Sequence, residues 1–315
     1  MRKMIVMREN AVGAEEIRAA IPDWEVFFCD DEEAAAPHLM DAEIIATWSG
    51  AQIEKALAGG TLRWVQFFAA GVDSLPLEKL KEKGVYLTNA SGVHGAPISE
   101  TMFAMILAFA RGIHSARADQ KKRVWRRGHA LTEIHEKTLG ILGVGAIGLE
   151  AARIGKAFGM RVLGLRRGGT PAENVDEMYA PERADEMLEK CDYVMNVLPW
   201  TSETERFMNA ARFSRMKKTA CYVSAGRGAT TDQEALIEAL RTGQIASAGL
   251  DVTVPEPLPA DSPLWDMDNV ILTPHMAGLT DRYFERAMEI LLKNLRAYIN
   301  AGAPVKNVVD YDLQY

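Results

Sequence analysis

Short apolar runs recur along the chain, and between most of them lie polar, helix-forming stretches. Met4 to Met7, Trp24 to Cys29, Ile44 to Thr47, Trp64 to Phe67 and Val85 to Leu87 read as buried strands, with helical stretches such as Ala14 to Ala20 and Ile53 to Ala58 between them. A second series follows at Leu139 to Gly143, Val162 to Leu165, Tyr193 to Val197, Cys221 to Ser224, Ala248 to Asp251 and Val270 to Leu272. The pattern predicts one long helix from about Ile98 to Gln120 between the two series, and a last helix from about Asp281 to Ile299 that crosses back. Alternation of this kind builds α/β domains with doubly wound parallel sheets.

The chemistry of the second series begins at its first turn. Thr138 to Gly148 is a strand running into Gly143-x-Gly145-x-x-Gly148, then a helical segment from Leu149 to Phe158 and another strand, Met160 to Leu165. In such a βαβ unit the glycines permit a tight turn and a close approach to a pyrophosphate, and the helix N-terminus favours the anion. The expected organisation is therefore a Rossmann nucleotide-binding domain of residues 98–284 inserted in a smaller flavodoxin-like substrate domain of residues 1–97 plus 285–315. The tail Val305 to Tyr315 would close the smaller domain. A cleft between the two would shut to exclude water. At the end of the second strand an NAD site usually carries an acid for the ribose hydroxyls. Here Arg166-Arg167 stands instead. Guanidinium groups clasp a 2′-phosphate, which argues for NADPH over NADH; the alternative is a solvated basic strand end beside Gly168-Gly169-Thr170.

Three later segments each end an apolar strand in a polar group. Arg227 follows Val223-Ser224-Ala225-Gly226, Glu256 lies between Pro255 and Pro257 after Leu250-Asp251, and His275 follows Val270 to Pro274. In parallel sheets the carboxyl ends of strands are where ligands bind, so the trio reads as an acid-base site. Singly, Arg227 could be a surface ion pair and His275 a buried structural histidine.

Together these segments resemble the D-isomer-specific 2-hydroxyacid dehydrogenases, and the resemblance covers nearly all of the chain in order. Trp64 to Asp73 resembles that family's substrate-carboxylate loop, and Val85 to Ser91 with Pro97-Ile98-Ser99-Glu100 its first interdomain crossing. Leu198-Pro199-Trp200-Thr201-Ser202-Glu203-Thr204 resembles its loop beside the nicotinamide ribose, and Glu256 to Pro259, Ser262 to Trp265 and Asn269 to His275 follow its pattern closely. The resemblance implies that Arg227 binds the substrate carboxylate and polarises its keto oxygen, that His275 protonates that oxygen, and that Glu256 hydrogen-bonds His275. Hydride arriving at a carbonyl leaves an alkoxide that needs a cation and a proton, and a carboxylate beside an imidazole favours its protonated form. It further implies that Asp251 orients the nicotinamide carboxamide, that amides around Ala70 and Gly71 receive the other carboxylate oxygen, and that Ala146, Ile147, Leu198, Pro199, Thr204, Ala225, Gly226 and His275 line the cofactor. There are departures. Ala69 replaces a frequent glycine, and His94 replaces a frequent asparagine, either lining the cleft or starting the next helix. Trp48 falls in a loop that shapes side-chain specificity; a bulky indole there favours a small acid such as glyoxylate or hydroxypyruvate, unless it packs in the core.

Composition narrows the class. A formal charge of −7 argues against nucleic acid or an anionic membrane as partner. The three cysteines, Cys29, Cys191 and Cys221, have no metal spacing and suit a reducing compartment. Met1 to Glu9 is too short an apolar stretch for a signal peptide, and no run is long enough to span a bilayer; the expectation is a cytoplasmic enzyme without a metal. The basic run Lys121 to His129, with Trp125 inside it, lies where the resembled family forms an arm around a second subunit, which implies a homodimer. The alternative to an NADPH-dependent 2-oxo acid reductase is a nucleotide-sensing, corepressor-like binding protein on the same scaffold; dehydrogenases of formate or phosphite are a lesser rival.

Overall fold

The computed structural model describes residues 2–7, 13–72 and 74–312. Met1, Arg8, Glu9, Asp73 and the last three residues of the tail lie outside the described residues. The chain divides into two compact units, Met1–Val93 with Thr280–Tyr315, and His94–Leu279.

The first unit holds β1 (Lys3–Met7), α1 (Ala14–Ala20), β2 (Glu25–Cys29), α2 (Glu32–Ala35), β3 (Ile44–Thr47), α3 (Gly50–Gly59), β4 (Trp64–Phe67), α4 (Leu77–Glu82) and β5 (Tyr86–Thr88). Its five strands are parallel in the order β2-β1-β3-β4-β5, the flavodoxin-like order. β3 and β4 are buried along their whole length, which is why they read as unbroken apolar runs. The pleat splits the core: Ile5, Ile45, Val65 and Leu87 pack with Ile53 and Leu57 of α3, while Met4, Val6, Ile44 and Trp64 pack on the other face. That second face is covered from the far end of the sequence. Helix α11 (Tyr283–Ala301) buries Ala287, Met288, Leu291, Leu295 and Tyr298 there, and Val308 bridges antiparallel to Thr88.

The second unit begins with α5 (Gly95–Ala110) and α6 (Ile113–Lys121). It continues through β6 (Thr138–Leu142), α7 (Ala146–Ala157), β7 (Arg161–Leu165), β8 (Glu177–Tyr179), α8 (Ala184–Leu188), β9 (Tyr193–Asn196), α9 (Ala210–Arg215), β10 (Cys221–Ser224), α10 (Gln233–Arg241), β11 (Ser247–Leu250) and β12 (Val270–Leu272). The seven strands are parallel in the order β12-β11-β10-β9-β6-β7-β8, a Rossmann sheet extended by one strand. The order reverses between β6 and β9, so the loops after these two strands flank the switch point where such sheets bind ligands.

Two elements differ from expectation. The long helix is two helices bent by 71° at Arg111-Gly112, because Gly112 takes φ +65° and its missing Cβ leaves room for Leu131. The edge strand β8 was not foreseen, since three residues carrying one charge show no apolar run. Among the described residues no single helix is long and apolar enough to cross a membrane.

Candidate active site

The glycine loop after β6 is built by close approach. Gly143 takes φ +99°, and a Cβ there would sit 3.0 Å from the Val197 carbonyl carbon. A Cβ on Gly148 would sit 2.5 Å from the Gly143 carbonyl oxygen, so α7 rests directly against the turn. Gly145 has nothing within 4 Å of its would-be Cβ. The turn is therefore tight beneath and open at Gly145, immediately before Ala146 and Ile147 begin a twelve-residue helix. These are the features a pyrophosphate cradle needs.

Beyond β7 the two arginines diverge. Arg166 donates from Nε to the Thr170 carbonyl at 2.9 Å and from Nη2 to the Pro171 carbonyl at 2.8 Å, which fixes its guanidinium plane. It lines a cavity of about 480 Å³ with Ala146, Glu150, Arg153 and Asn174. Arg167 instead donates to Glu203 Oε2 at 3.3 Å. Glu203 belongs to the loop after β9, where the Leu198 N–H donates to Asn196 Oδ1 at 3.1 Å and the Thr204 hydroxyl donates to the Pro199 carbonyl at 2.6 Å.

The polar trio stands on the next three strand ends. After β10, Ala225 is buried, and Gly226 lies so near the β9 loop that a Cβ would meet the Leu198 carbonyl oxygen at 2.5 Å. Arg227 is half-buried, and its Nη1 donates to the Gly226 carbonyl at 3.1 Å. Gly228 presses on the segment after β11: a Cβ there would lie 2.2 Å from the Thr253 carbonyl oxygen. The Thr253 N–H donates to Glu256 Oε1 at 3.0 Å, and Glu256 Oε2 lies 2.7 Å from His275 Nδ1. An ionised carboxylate only accepts, so in a pair with charged Glu256 it is Nδ1 that donates, which leaves Nε2 for other work. The His275 side chain is 51 % exposed.

Asp251 holds the loop that carries His275. It is 3 % exposed; its Oδ1 accepts from the Thr273 hydroxyl at 2.6 Å and the Met276 N–H at 2.9 Å, and its Oδ2 accepts from the Ala277 N–H at 3.0 Å. A carboxylate offers about four acceptor positions, so one remains for a further donor. The His275 N–H donates to the Asp251 carbonyl at 2.8 Å. His94 sits at the N-cap of α5, with Nδ1 3.1 Å from the Gly278 carbonyl, in the turn that follows His275.

In the first unit, Trp48 is 44 % exposed, which excludes the packed-core alternative. Its ring centroid lies 5.5 Å from that of Phe68 and 5.2 Å from that of Tyr283. The Ala70 carbonyl accepts from Asn89 Nδ2 at 2.9 Å, which pins the Ala70–Gly71 loop after β4. Tyr283, Asn196 and Thr230 carry little signal in the sequence; for Asn196 it is a polar side chain ending the otherwise apolar strand Tyr193–Asn196.

A Rossmann sheet with this glycine turn, and an imidazole–carboxylate pair at its strand ends, defines a nicotinamide-dependent oxidoreductase. Residues 103–277 match the family model described as D-isomer specific 2-hydroxyacid dehydrogenase, NAD binding domain. The glyoxylate reductase of Thermococcus onnurineus (strain NA1) is 32 % identical over 317 residues, covering 96 % of this chain and 94 % of its own length. The crystal structure of a D-isomer specific 2-hydroxyacid dehydrogenase family protein from Aeromonas salmonicida subsp. salmonicida A449 is similar with a TM-score of 0.86 at 35 % identity, over 99 % of both chains. The NADPH-dependent glyoxylate/hydroxypyruvate reductase of Sinorhizobium meliloti, solved with NADP and sulfate, is similar with a TM-score of 0.81 at 28 % identity, over 100 % of both chains. The chain belongs to the D-isomer specific 2-hydroxyacid dehydrogenase family. It is an NAD(P)-dependent oxidoreductase of 2-oxo acids, and the sensing-protein alternative draws no support from these relatives.

Proposed function

We propose that the enzyme reduces small 2-oxo acids, glyoxylate and hydroxypyruvate foremost, to D-2-hydroxy acids, with NADPH preferred over NADH. The observation that carries the chemistry is the His275–Glu256 pair at 2.7 Å on a turn tied down by Asp251. The Sinorhizobium meliloti and Thermococcus onnurineus relatives support the substrate class.

Gly143, Gly145, Ala146, Ile147 and Gly148 would hold the pyrophosphate, Leu198, Pro199, Thr204, Ala225 and Gly226 the nicotinamide half, with Asp251 and His275 beside it. The cofactor, when bound, supplies hydride to the carbonyl carbon. Arg227 binds the carboxylate and keto oxygen and balances charge that develops on that oxygen. His275 delivers a proton to it from Nε2. For that transfer the ring carries protons on both nitrogens and is left as the Nδ1–H tautomer, while Glu256, accepting from Nδ1, holds its orientation throughout. In the first unit, the Ala70 and Gly71 amides and the Trp48 indole are the groups proposed to touch substrate, with His94 the corresponding group in the second. Support for NADPH comes from Arg166, whose plane is fixed by two carbonyls beside an open cavity, and from the lack of an acid at the end of β7.

A homodimer is proposed through the run Lys121 to His129, where Trp125 is 91 % exposed. Initial rates of NADPH and NADH oxidation with glyoxylate, hydroxypyruvate, pyruvate and an aromatic 2-oxo acid test the substrate and cofactor together. The expected result is fast NADPH oxidation with the small acids. Equal rates with NADH would remove the phosphate clasp, and a preference for the aromatic acid would remove the narrow pocket.

A further inference from the structure

Beneath the Arg227 turn lies a set of polar side chains sealed from water. Asn196, Tyr222 and Thr230 are each 0 % exposed. Asn196 Oδ1 accepts from the Leu198 N–H at 3.1 Å, and its Nδ2 donates to Thr230 Oγ1 at 2.9 Å and to the Tyr222 hydroxyl oxygen at 2.8 Å. The Thr230 hydroxyl donates in turn to the Arg227 carbonyl at 2.7 Å. An unbroken line of hydrogen bonds therefore runs from the backbone of Leu198, through two buried side chains, to the backbone of Arg227.

Burying an amide and a hydroxyl is costly unless both are satisfied, and here each has its partners. Apolar side chains of the same volume would fill the space without that demand. What the polar pair adds is direction: each bond fixes one atom against another, and a satisfied network in a low-dielectric interior is stiff. The backbones agree with it, since Gly226 has no room for a Cβ against Leu198. The Tyr222 hydroxyl branches away to Thr231 Oγ1 at 2.7 Å and stands off the line to Arg227.

We propose that Asn196 and Thr230 are positioning residues for 2-oxo acid reduction, which set the Arg227 turn against the Leu198 loop so that the guanidinium is aimed from the cofactor side of the sheet. This rests on the reading of Arg227 as the group that binds the substrate carboxylate. Loss of the Thr230 hydroxyl lets the turn relax, and the effect falls on substrate binding.

The test compares Thr230→Val, Thr230→Ser, Tyr222→Phe and Arg227→Lys, reading KM and kcat for glyoxylate, Kd for NADPH and Tm. Thr230→Val is expected to raise KM about tenfold, the worth of one buried hydrogen bond, with Kd for NADPH within about twofold of the parent. Thr230→Ser, which restores the hydroxyl, is expected to keep the parent KM. Tyr222→Phe removes a buried hydroxyl off the line and is expected to lower Tm while leaving KM alone. An unchanged KM in Thr230→Val overturns the proposal, and so does an equal rise in Tyr222→Phe, which would mean general loosening. If Thr230→Val does not fold, Thr230→Ala makes no steric demand and takes its place under the same criteria. Arg227→Lys separates the two levels: a raised KM there with none in Thr230→Val sinks the positioning role alone, whereas an unchanged KM in Arg227→Lys sinks the carboxylate reading and this inference with it.

Discussion

His275 has a left-handed backbone, φ +52°, a conformation that costs a non-glycine residue about 1–2 kcal/mol. The Asp251 carbonyl and carboxylate offset it by bonding the N–H groups of His275, Met276 and Ala277, and the reward is a ring aimed at Glu256. A histidine after an apolar strand was legible in the sequence; that a buried aspartate just past the neighbouring strand fastens its turn was not, because backbone donors leave no trace in residue type. His275→Gln is expected to lower kcat by about 10²–10⁴ with little change in NADPH affinity, measured by stopped-flow reduction and by cofactor titration. Retained kcat would remove the proposed proton donor. A second single-residue prediction concerns acid stability. Burial pushes the Glu43 carboxyl up, but bonds from Arg2 Nε at 2.9 Å and the Tyr298 hydroxyl at 2.9 Å outweigh it and hold the group below its ordinary value. A depressed folded-state value stabilises fully above the unfolded carboxylate value of about 4.3, and the gain is lost as pH falls through the folded value. Glu43→Gln should thus be about 1 kcal/mol less stable than the parent at pH 7, and the gap should close below about pH 4. Urea melts at both pH values check it; a gap that stays constant with pH would assign the loss to packing.

At the scale of elements, the strands were readable because a parallel strand buried on both faces is an apolar run, and β3, β4, β9, β10 and β11 are all of this kind. The edge strand β8 escaped since an edge needs less apolar surface. The bend between α5 and α6 escaped for a different reason: Gly112 sits inside a continuous helical pattern, and only its φ of +65° reveals the break. Gly112→Ala is expected to cost about 1–2 kcal/mol in urea denaturation, since alanine resists that conformation and Leu131 must shift. The junction between the β10 and β11 loops is tighter. Gly228→Ala would drive a methyl against the Thr253 carbonyl, moving the segment that holds Glu256, so kcat is expected to fall at least tenfold along with a loss of about 1–3 kcal/mol in stability. Full activity in that variant would show that the two loops can part without disturbing the His275–Glu256 pair.

Across the whole molecule, order along the chain and order in space differ, as the two units, each built from its own run of strands, make plain. Asp119 Oδ2 at the end of α6 lies 3.1 Å from Arg126 Nε and 3.2 Å from His129 Nε2, close to the segment that displays Trp125. The basic run thus has a structural use for Arg126, and the exposed Trp125 indole is the group the proposed dimer would cover. Trp125→Ala is expected to weaken self-association about 30-fold, as loss of a central aromatic anchor does, read by light scattering over a dilution series. An unchanged mass at every concentration would remove the segment as the contact. The return of the chain at Thr280 has a consequence for synthesis. A ribosome that has made everything up to Leu279 has delivered every strand of the seven-stranded sheet, yet the face formed by Met4, Val6, Ile44 and Trp64 still lacks α11. The second unit can therefore finish folding before the first does, and β1, β3 and β4 wait, with an open apolar face, until α11 has been translated.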